Sequence, residues 1–460
     1  VVATLYLLSL VLITKSIYKA VLFAFIPLGL INIGQIYITT VIPINAVRNV
    51  VNFQGRQLYF HFSPFFVLQL TSIFLFLAEI AKRKGKVKLS LAHVFLFISF
   101  FFSTISVFNS EQFPSYSFTI MIGTIGSISW LTLVQLHLRE STKTEKNILL
   151  KTFLLIIILM SSVQISVGLG QYIRKSTLNL RIEQTTVIPN FGQGADEDGT
   201  QFRPVGLQTH ANSLANSQII FLFSALVLFQ YLREKNVHFP WGFEVLIVGT
   251  MIILIFLTQS RAAYLSLGLG GGLFLLSQQL LSQKQILKLR SAFQSKIFVF
   301  ILLAFFFVPM ISNRLLYSLN SFGAGGGFTT RQELEKLSLL LIQKHTLWGV
   351  GPAMFIPAAF KESPTGIIQY FPESVHQGFL LFVSEHGVLS FSFLMAFYVA
   401  LFKDIERRLS PLMRTNVYAG IVATCCMMFF HPFQNFLTTF ILIIWLVVYI
   451  QDNKKNNEKP

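Results

Sequence analysis

Long apolar blocks separated by short polar stretches run the length of the chain. They cover positions 65–81, 89–107, 118–138, 149–169, 219–232 and 243–257, then 262–281, 297–311, 378–402, 417–430 and 436–450, with two more before Gly34. A helix needs about 20 apolar residues to cross a hydrocarbon core of ~30 Å, and the blocks come near that length. The pattern predicts an all-α polytopic membrane protein with about 12–14 transmembrane helices. Val1 already lies inside an apolar run, so the first span is expected to begin upstream, and a cleaved signal peptide is not expected.

Composition agrees with the pattern. Of 460 residues, 53% are hydrophobic and only 12% charged, and the mean hydropathy is +0.64. The net charge of +17 would raise the question of nucleic acid in a soluble protein. Here the basic residues gather in alternate loops instead: Lys82, Arg83, Lys84, Lys86 and Lys88; Arg139, Lys143 and Lys146; Arg233 and Lys235; Lys284, Lys288 and Arg290; Lys403, Arg407, Arg408 and Arg414. That alternation is the positive-inside rule and assigns these loops, with the tail at Lys454, Lys455 and Lys459, to the cytoplasm. Cys425 and Cys426 are adjacent within one block, which excludes a disulfide framework.

Three longer segments then fall outside the cytoplasm, at 35–63, 171–211 and 314–375. The expected organisation is an N-terminal set of transmembrane helices over 1–170, a second transmembrane domain over 171–450 that includes the large loop 314–375, and a cytoplasmic tail over 451–460. The cytoplasmic loops are short and hold no nucleotide-binding pattern. Gly323, Gly325, Gly326 and Gly327 read as a flexible hinge, since no Lys-Ser/Thr follows them as a phosphate-cradling loop requires. Thr330 and Glu333 have the spacing of a capping box, and Leu334, Leu337 and Leu341 repeat at helical intervals. An amphipathic helix on the membrane surface is expected there, its polar side carrying Arg331, Glu335, Lys336 and Lys344.

Ionisable groups at the junction of loop and span are costly unless paired or used. Arg203 precedes one span, Arg261 sits between two blocks with almost no loop, and His376 opens another span with Glu373 three residues before it. Each has a structural alternative: Arg261 as an interface anchor, Arg203 as a loop charge, His376 as a packing residue. Together the arginines have the chemistry to grip a diphosphate, and an imidazole on the same face has the chemistry to take a proton from a sugar hydroxyl. Asp196, Glu197 and Asp198 offer a rival metal site, but consecutive acids in a Gly-rich stretch need not converge, and no metal or other cofactor is expected.

The residues taken in order resemble the O-antigen ligase family and its O-antigen polymerase relatives. The resemblance runs from Arg203 to the end of the chain. It rests on Arg203, Gly206 and Asn212 before a span, on Thr258-Gln259-Ser260-Arg261-Ala262, on Trp348-Gly349-Val350-Gly351 with Phe355, and on His376-Gln377-Gly378-Phe379-Leu380 followed by Glu385-His386-Gly387. It implies a GT-C-like membrane glycosyltransferase of the bacterial inner membrane with its site facing the periplasm. The donor would be a glycan on undecaprenyl diphosphate, and the acceptor the lipid A core or another glycan. His376 would match the catalytic histidine, Arg203 and Arg261 would match arginines that hold the donor diphosphate, and Glu373, Asn212 and Arg331 are candidate supports. Ala211 stands where a proline is common and Gln377 where an asparagine is usual, which leaves ligase, polymerase and protein glycosylation open. A transporter or flippase is the competing class, opposed by the scarcity of carboxylates within the spans.

Overall fold

The computed structural model describes residues 19–21, 23, 36–38, 60–62, 64–84, 89–110, 114–180, 202–208, 210–237, 239–280, 327–370 and 374–430. Two three-residue strands, β1 (Ile36–Ile38) and β2 (Phe60–Phe62), pair antiparallel with Ile36 opposite Phe62. Otherwise the regular structure among the described residues is helical. The helices are α1 (Pro64–Lys82), α2 (Leu91–Ser106), α3 (Pro114–Glu140), α4 (Lys143–Arg174), α5 (Ala211–Glu234), α6 (Trp241–Leu257) and α7 (Arg261–Leu280). After these come α8 (Gly327–Lys344), α9 (Phe355–Glu362), α10 (Ile367–Tyr370), α11 (Gly378–Arg408) and α12 (Pro411–Phe430).

The apolar blocks from 65–81 to 262–281, and those at 378–402 and 417–430, coincide with α1 to α7, α11 and α12. The chain is an all-α polytopic membrane protein: α2, α3, α4, α5, α11 and α12 are each long and apolar enough to cross a bilayer, and α6 is a shorter apolar helix. The blocks at 297–311, 436–450 and before Gly34 lie outside the described residues, save for a few positions of the last. Local signals set the starts of these helices. Thr142 accepts the Glu145 N–H and the Glu145 carboxylate accepts the Thr142 N–H, a reciprocal cap that opens α4. Ser90 caps α2, and the His210 ring caps α5 by accepting the Asn212 N–H.

Side-chain contacts give the helices their directions. Ser410 at the start of α12 bonds Glu234 at the end of α5, and Asn416 donates to the Leu226 carbonyl, so α12 runs antiparallel to α5. The far end of α12 then meets the start of α11, where the Phe429 and Phe379 rings lie 5.3 Å apart. One end of the bundle therefore gathers the starts of α5, α7 and α11 with the ends of α4, α6 and α12. At the opposite end, Arg83 pairs with Glu79 and Glu140, Arg233 with Glu244, and Arg414 with Glu406. Tight approach holds the bundle elsewhere: a methyl group added to Gly126 of α3 would lie 2.5 Å from Gln69 of α1. In an apolar solvent such small-residue contacts and buried hydroxyl pairs replace the hydrophobic effect as the source of helix association. Ser99 and Ser103 of α2 supply the hydroxyl pairs, both bonded to Ser390 of α11.

α11 is broken. Gly387 has φ 78° and ψ 167°, so the helix stops there and restarts. A break exposes backbone groups that hydrocarbon cannot satisfy, and protein must satisfy them. The segment after α8 does so: Val350 N–H donates to the Ser384 carbonyl, Gly351 N–H to the Glu385 carbonyl, and Val388 N–H to the Thr346 carbonyl, all at 2.9 Å. Asn109, beyond α2, donates to the Gly349 carbonyl, and Trp348 packs on Phe102.

The surface helix differs from its expected form. α8 starts at Gly327, so Thr330 lies inside its first turn and the Thr330–Glu333 spacing is not the cap. Leu334 and Leu341 are fully buried, with Leu337 beside them, against Val350, Met354, Phe355, Ala359, Ile368, Val375 and Leu381. The apolar stripe is thus covered by the chain's own 350–381 region, not by lipid.

The break at Gly387 makes a direct test. A methyl group there would sit 2.2 Å from the Leu347 carbonyl oxygen, and the backbone angles are strained for any L residue. Gly387→Ala should cost about 3 kcal/mol and visibly lower the melting temperature of the purified protein. A wild-type melting curve would mean that the break is not held as described.

Candidate functional site

The candidate residues lie in the segment 202–208, the turn between α6 and α7, and the start of α11. The first of these is irregular backbone, yet most of it is buried. Its polar groups are met by two glutamines of α4. The Gln171 side chain accepts from Val205 N–H (3.0 Å) and Gly206 N–H (2.8 Å) and donates to the Gly206 carbonyl (2.9 Å), while Gln164 accepts from Leu207 N–H (2.8 Å). Gly206 has φ 59°, and an added Cβ would lie 2.4 Å from the Gln164 oxygen, so glycine is required by both angle and space.

So fixed, the segment aims Arg203 at the next element. Its Nε donates to the Thr258 carbonyl at 2.9 Å and its Nη2 to the Asn212 side-chain oxygen at 2.8 Å. Thr258 stands in the three-residue turn before Arg261, the first residue of α7. Gln259 in that turn has φ 52°, and the Ser260 hydroxyl accepts the Ala263 N–H at 3.4 Å, an N-cap contact. The structure thereby brings Arg203, Asn212 and the Arg261 turn together. Arg203 is half-buried and Arg261 exposed.

The electrostatic setting is unusual for arginine. A helix N-terminus is the positive pole of the helix dipole, where a cation is disfavoured by roughly 0.3–1 kcal/mol and an anion favoured by as much. Arg261 occupies that pole of α7, while Arg203 is bonded both to Asn212 in the first turn of α5 and to the Thr258 carbonyl that closes α6, the negative pole of that helix. Basic residues at the other end of the bundle have the opposite placement: Arg233 of α5 and Arg407 and Arg408 of α11 sit in last turns. Arg203 and Arg261 thus stand beside the starts of α5 and α7, where backbone N–H groups would favour an anion.

His376 is half-buried and lies two residues before α11, next to the fully buried Val375. Its helix starts at the same end of the bundle as α5 and α7. Glu385, two residues before the break, is buried, and its carboxylate accepts the backbone N–H groups of Ala353 and Phe355. Arg331 is half-buried on α8, a separate element from the arginine pair. Glu373 and the run Asp196, Glu197 and Asp198 lie outside the described residues. Among the described residues, no three His, Cys, Asp or Glu side chains gather closely enough to hold a metal ion.

Residues 246–395 match the family model of the O-antigen ligases. Over those residues the chain is similar to the O-antigen ligases. Comparison with the curated proteins gives no match. The domain so matched contains Arg261, the 346–351 segment, His376 and the break at Gly387. Arg203, Asn212 and the two glutamines of α4 precede it and are joined to it through the Thr258 carbonyl.

Gln164, Gln171, His210 and Glu385 were not legible as site residues. The glutamines had a signal: they are seven residues apart, two turns along one face of an otherwise apolar helix. Gln171→Leu should leave two buried N–H groups and one carbonyl without partners, at about 1–3 kcal/mol each. We expect faster amide hydrogen exchange over 202–210, with α12 unaffected. Unchanged exchange there would show that the segment is held by other contacts.

Proposed function

We propose that the chain transfers a glycan from an undecaprenyl-diphosphate-linked donor to an acceptor hydroxyl on the outer face of the bacterial inner membrane, as a ligase of cell-surface polysaccharide. The Arg203–Thr258 hydrogen bond carries this reading, because it ties Arg203 to the turn that precedes Arg261. In the proposed reaction His376 draws the proton from the acceptor hydroxyl, whose oxygen attacks the anomeric carbon. The bond from that carbon to the diphosphate breaks, and Arg203 and Arg261 take up the charge that develops on the leaving group. Preorganised donors of this kind are worth roughly 3 kcal/mol each in rate terms. A single displacement inverts the anomeric centre, and the arginines fill the role of a metal ion. Asn212 holds Arg203 in place; Arg331 and Glu373 are further supports on the same loop side.

His376→Gln should reduce transfer by about a hundred to ten-thousandfold while donor binding persists, since the base acts on the acceptor. Arg203→Ala and Arg261→Ala should weaken donor binding itself, with lysine rescuing only in part because it lacks the planar fork. The assay is reconstituted protein with an undecaprenyl-diphosphate-linked glycan, run with and without EDTA. Near wild-type turnover by His376→Gln would assign this histidine to packing, and activity lost in EDTA and restored by magnesium would move the case to a metal enzyme.

Orientation is open to a separate check. The alternation of basic loops assigns Lys86, Gln285 and Asn453 to the cytoplasm and Gly192 and Gly325 to the outside. Reporter fusions at these positions should divide accordingly. A cytoplasmic signal at Gly325 would put the site on the wrong face.

A further inference from the structure

α5, α7 and the turn before α7 hold buried polar groups that the reading above does not use. Asn216 is 1% exposed, Ser266 0% and Gln259 5%. Neither polar atom of Asn216 has a hydrogen-bond partner, and the same holds for the Ser266 hydroxyl and the Gln259 oxygen. Burying such a group unpaired is costly, so three residues of this kind need a reason.

Their placement supplies one. Asn212, Asn216 and Phe223 lie on one face of α5, being four and then seven residues apart. Asn212 meets Arg203, and a Cβ on Gly270 of α7 would lie 2.7 Å from the Ala419 carbonyl oxygen of α12, 2.8 Å from Ala423 and 2.8 Å from the Phe223 ring, so the Gly270 face of α7 meets both α12 and α5. That face of α5 is therefore turned to α7. Ser266 is one turn before Gly270 and shares its face. Asn216 and Ser266 each stand five residues into their helices, about 7.5 Å below the start, and Gln259 closes the top in the α6–α7 turn. By contrast Gln218 points away, and its oxygen accepts from Ser161 of α4 at 2.7 Å.

We propose that Asn216, Ser266 and Gln259 form the uncharged floor of the donor site and bind the junction of diphosphate and first sugar. The donor and acceptor types match that junction. Asn216 Nδ2 and the Ser266 hydroxyl donate to phosphoryl oxygens, while Asn216 Oδ1 and Gln259 Oε1 accept from sugar hydroxyls. A bare anion would leave the two acceptors opposed to it. Binding at this depth requires the turn 258–260 to lift. The inference rests on the donor reading above, and polar groups held unpaired for a ligand are a stability cost that apolar substitution relieves.

The test uses the full chain in lipid nanodiscs and two probes, undecaprenyl diphosphate and the same lipid diphosphate bearing one hexose. Asn216→Leu and Ser266→Ala should each raise the Kd for the hexose-bearing probe about tenfold, as loss of a net hydrogen-bond contribution of ~1.4 kcal/mol implies. Their melting temperatures without probe should be equal to or above wild type. Ser224→Ala removes another buried, unpaired hydroxyl deeper in α5 and should raise stability without changing either Kd. An unchanged Kd in the Asn216 and Ser266 variants would overturn the floor. So would a fall in melting temperature accompanying the loss of binding, since the groups would then hold the fold. If Arg203→Ala and Arg261→Ala weaken both probes while the floor variants do not, only this inference fails. If none of the four variants affects either probe, the donor reading itself fails.

Discussion

A backbone amide or carbonyl in hydrocarbon must find its partner within the protein, and the site of this chain is shaped by that requirement. Two stretches break helical order near the same end of the bundle. Each is tolerated because a specific element supplies the missing bonds. Gln164 and Gln171 satisfy 205–207, and the 346–351 segment satisfies the ends exposed at Gly387. Without the first, Arg203 would have no fixed direction. Without the second, the segment that carries His376 would lose its seat on α8 and α9.

Arg261 places charge where a helical bundle ordinarily avoids it. Cations at helix C-termini are favoured and cost nothing to explain, and the far end of the bundle has them in ion pairs. Arg203 donates to the carbonyl that closes α6, whereas Arg261 stands at a helix start, where backbone N–H groups already concentrate positive potential. An anionic ligand converts that repulsion into attraction. The same preorganisation explains how a diphosphate leaving group would be stabilised by side chains and helix ends in concert.

Much of the fold could be read from the chain because a transmembrane helix needs only length and apolarity, and the blocks show both. Arg203, Arg261 and His376 drew attention as candidates for a related reason: ionisable groups at loop–span junctions are costly unless paired or used. What sequence could not show was contact with backbone. The Thr258 carbonyl that receives Arg203 has no side-chain signature, and the satisfaction of Val205 and Gly206 by Gln171 depends on a fold that brings α4 against 202–208. The break in α11 was hidden for another reason, since Gly387 is one glycine within a stretch long and apolar enough to read as a single span. The start of α8 was misplaced because Thr330 and Glu333 have cap spacing, whereas the helix already runs from Gly327.

The central claim is that the arginine turn and the His376 junction face one ligand at one end of the bundle. Photocrosslinking tests it most directly, with an undecaprenyl-diphosphate-linked glycan that carries a diazirine on its first sugar, followed by mass spectrometry of the labelled peptides. The account requires labelling within 203–216, 258–266 and 374–378, competed by unmodified donor. Labelling confined to the basic end, around Arg233 and Arg414, would contradict it.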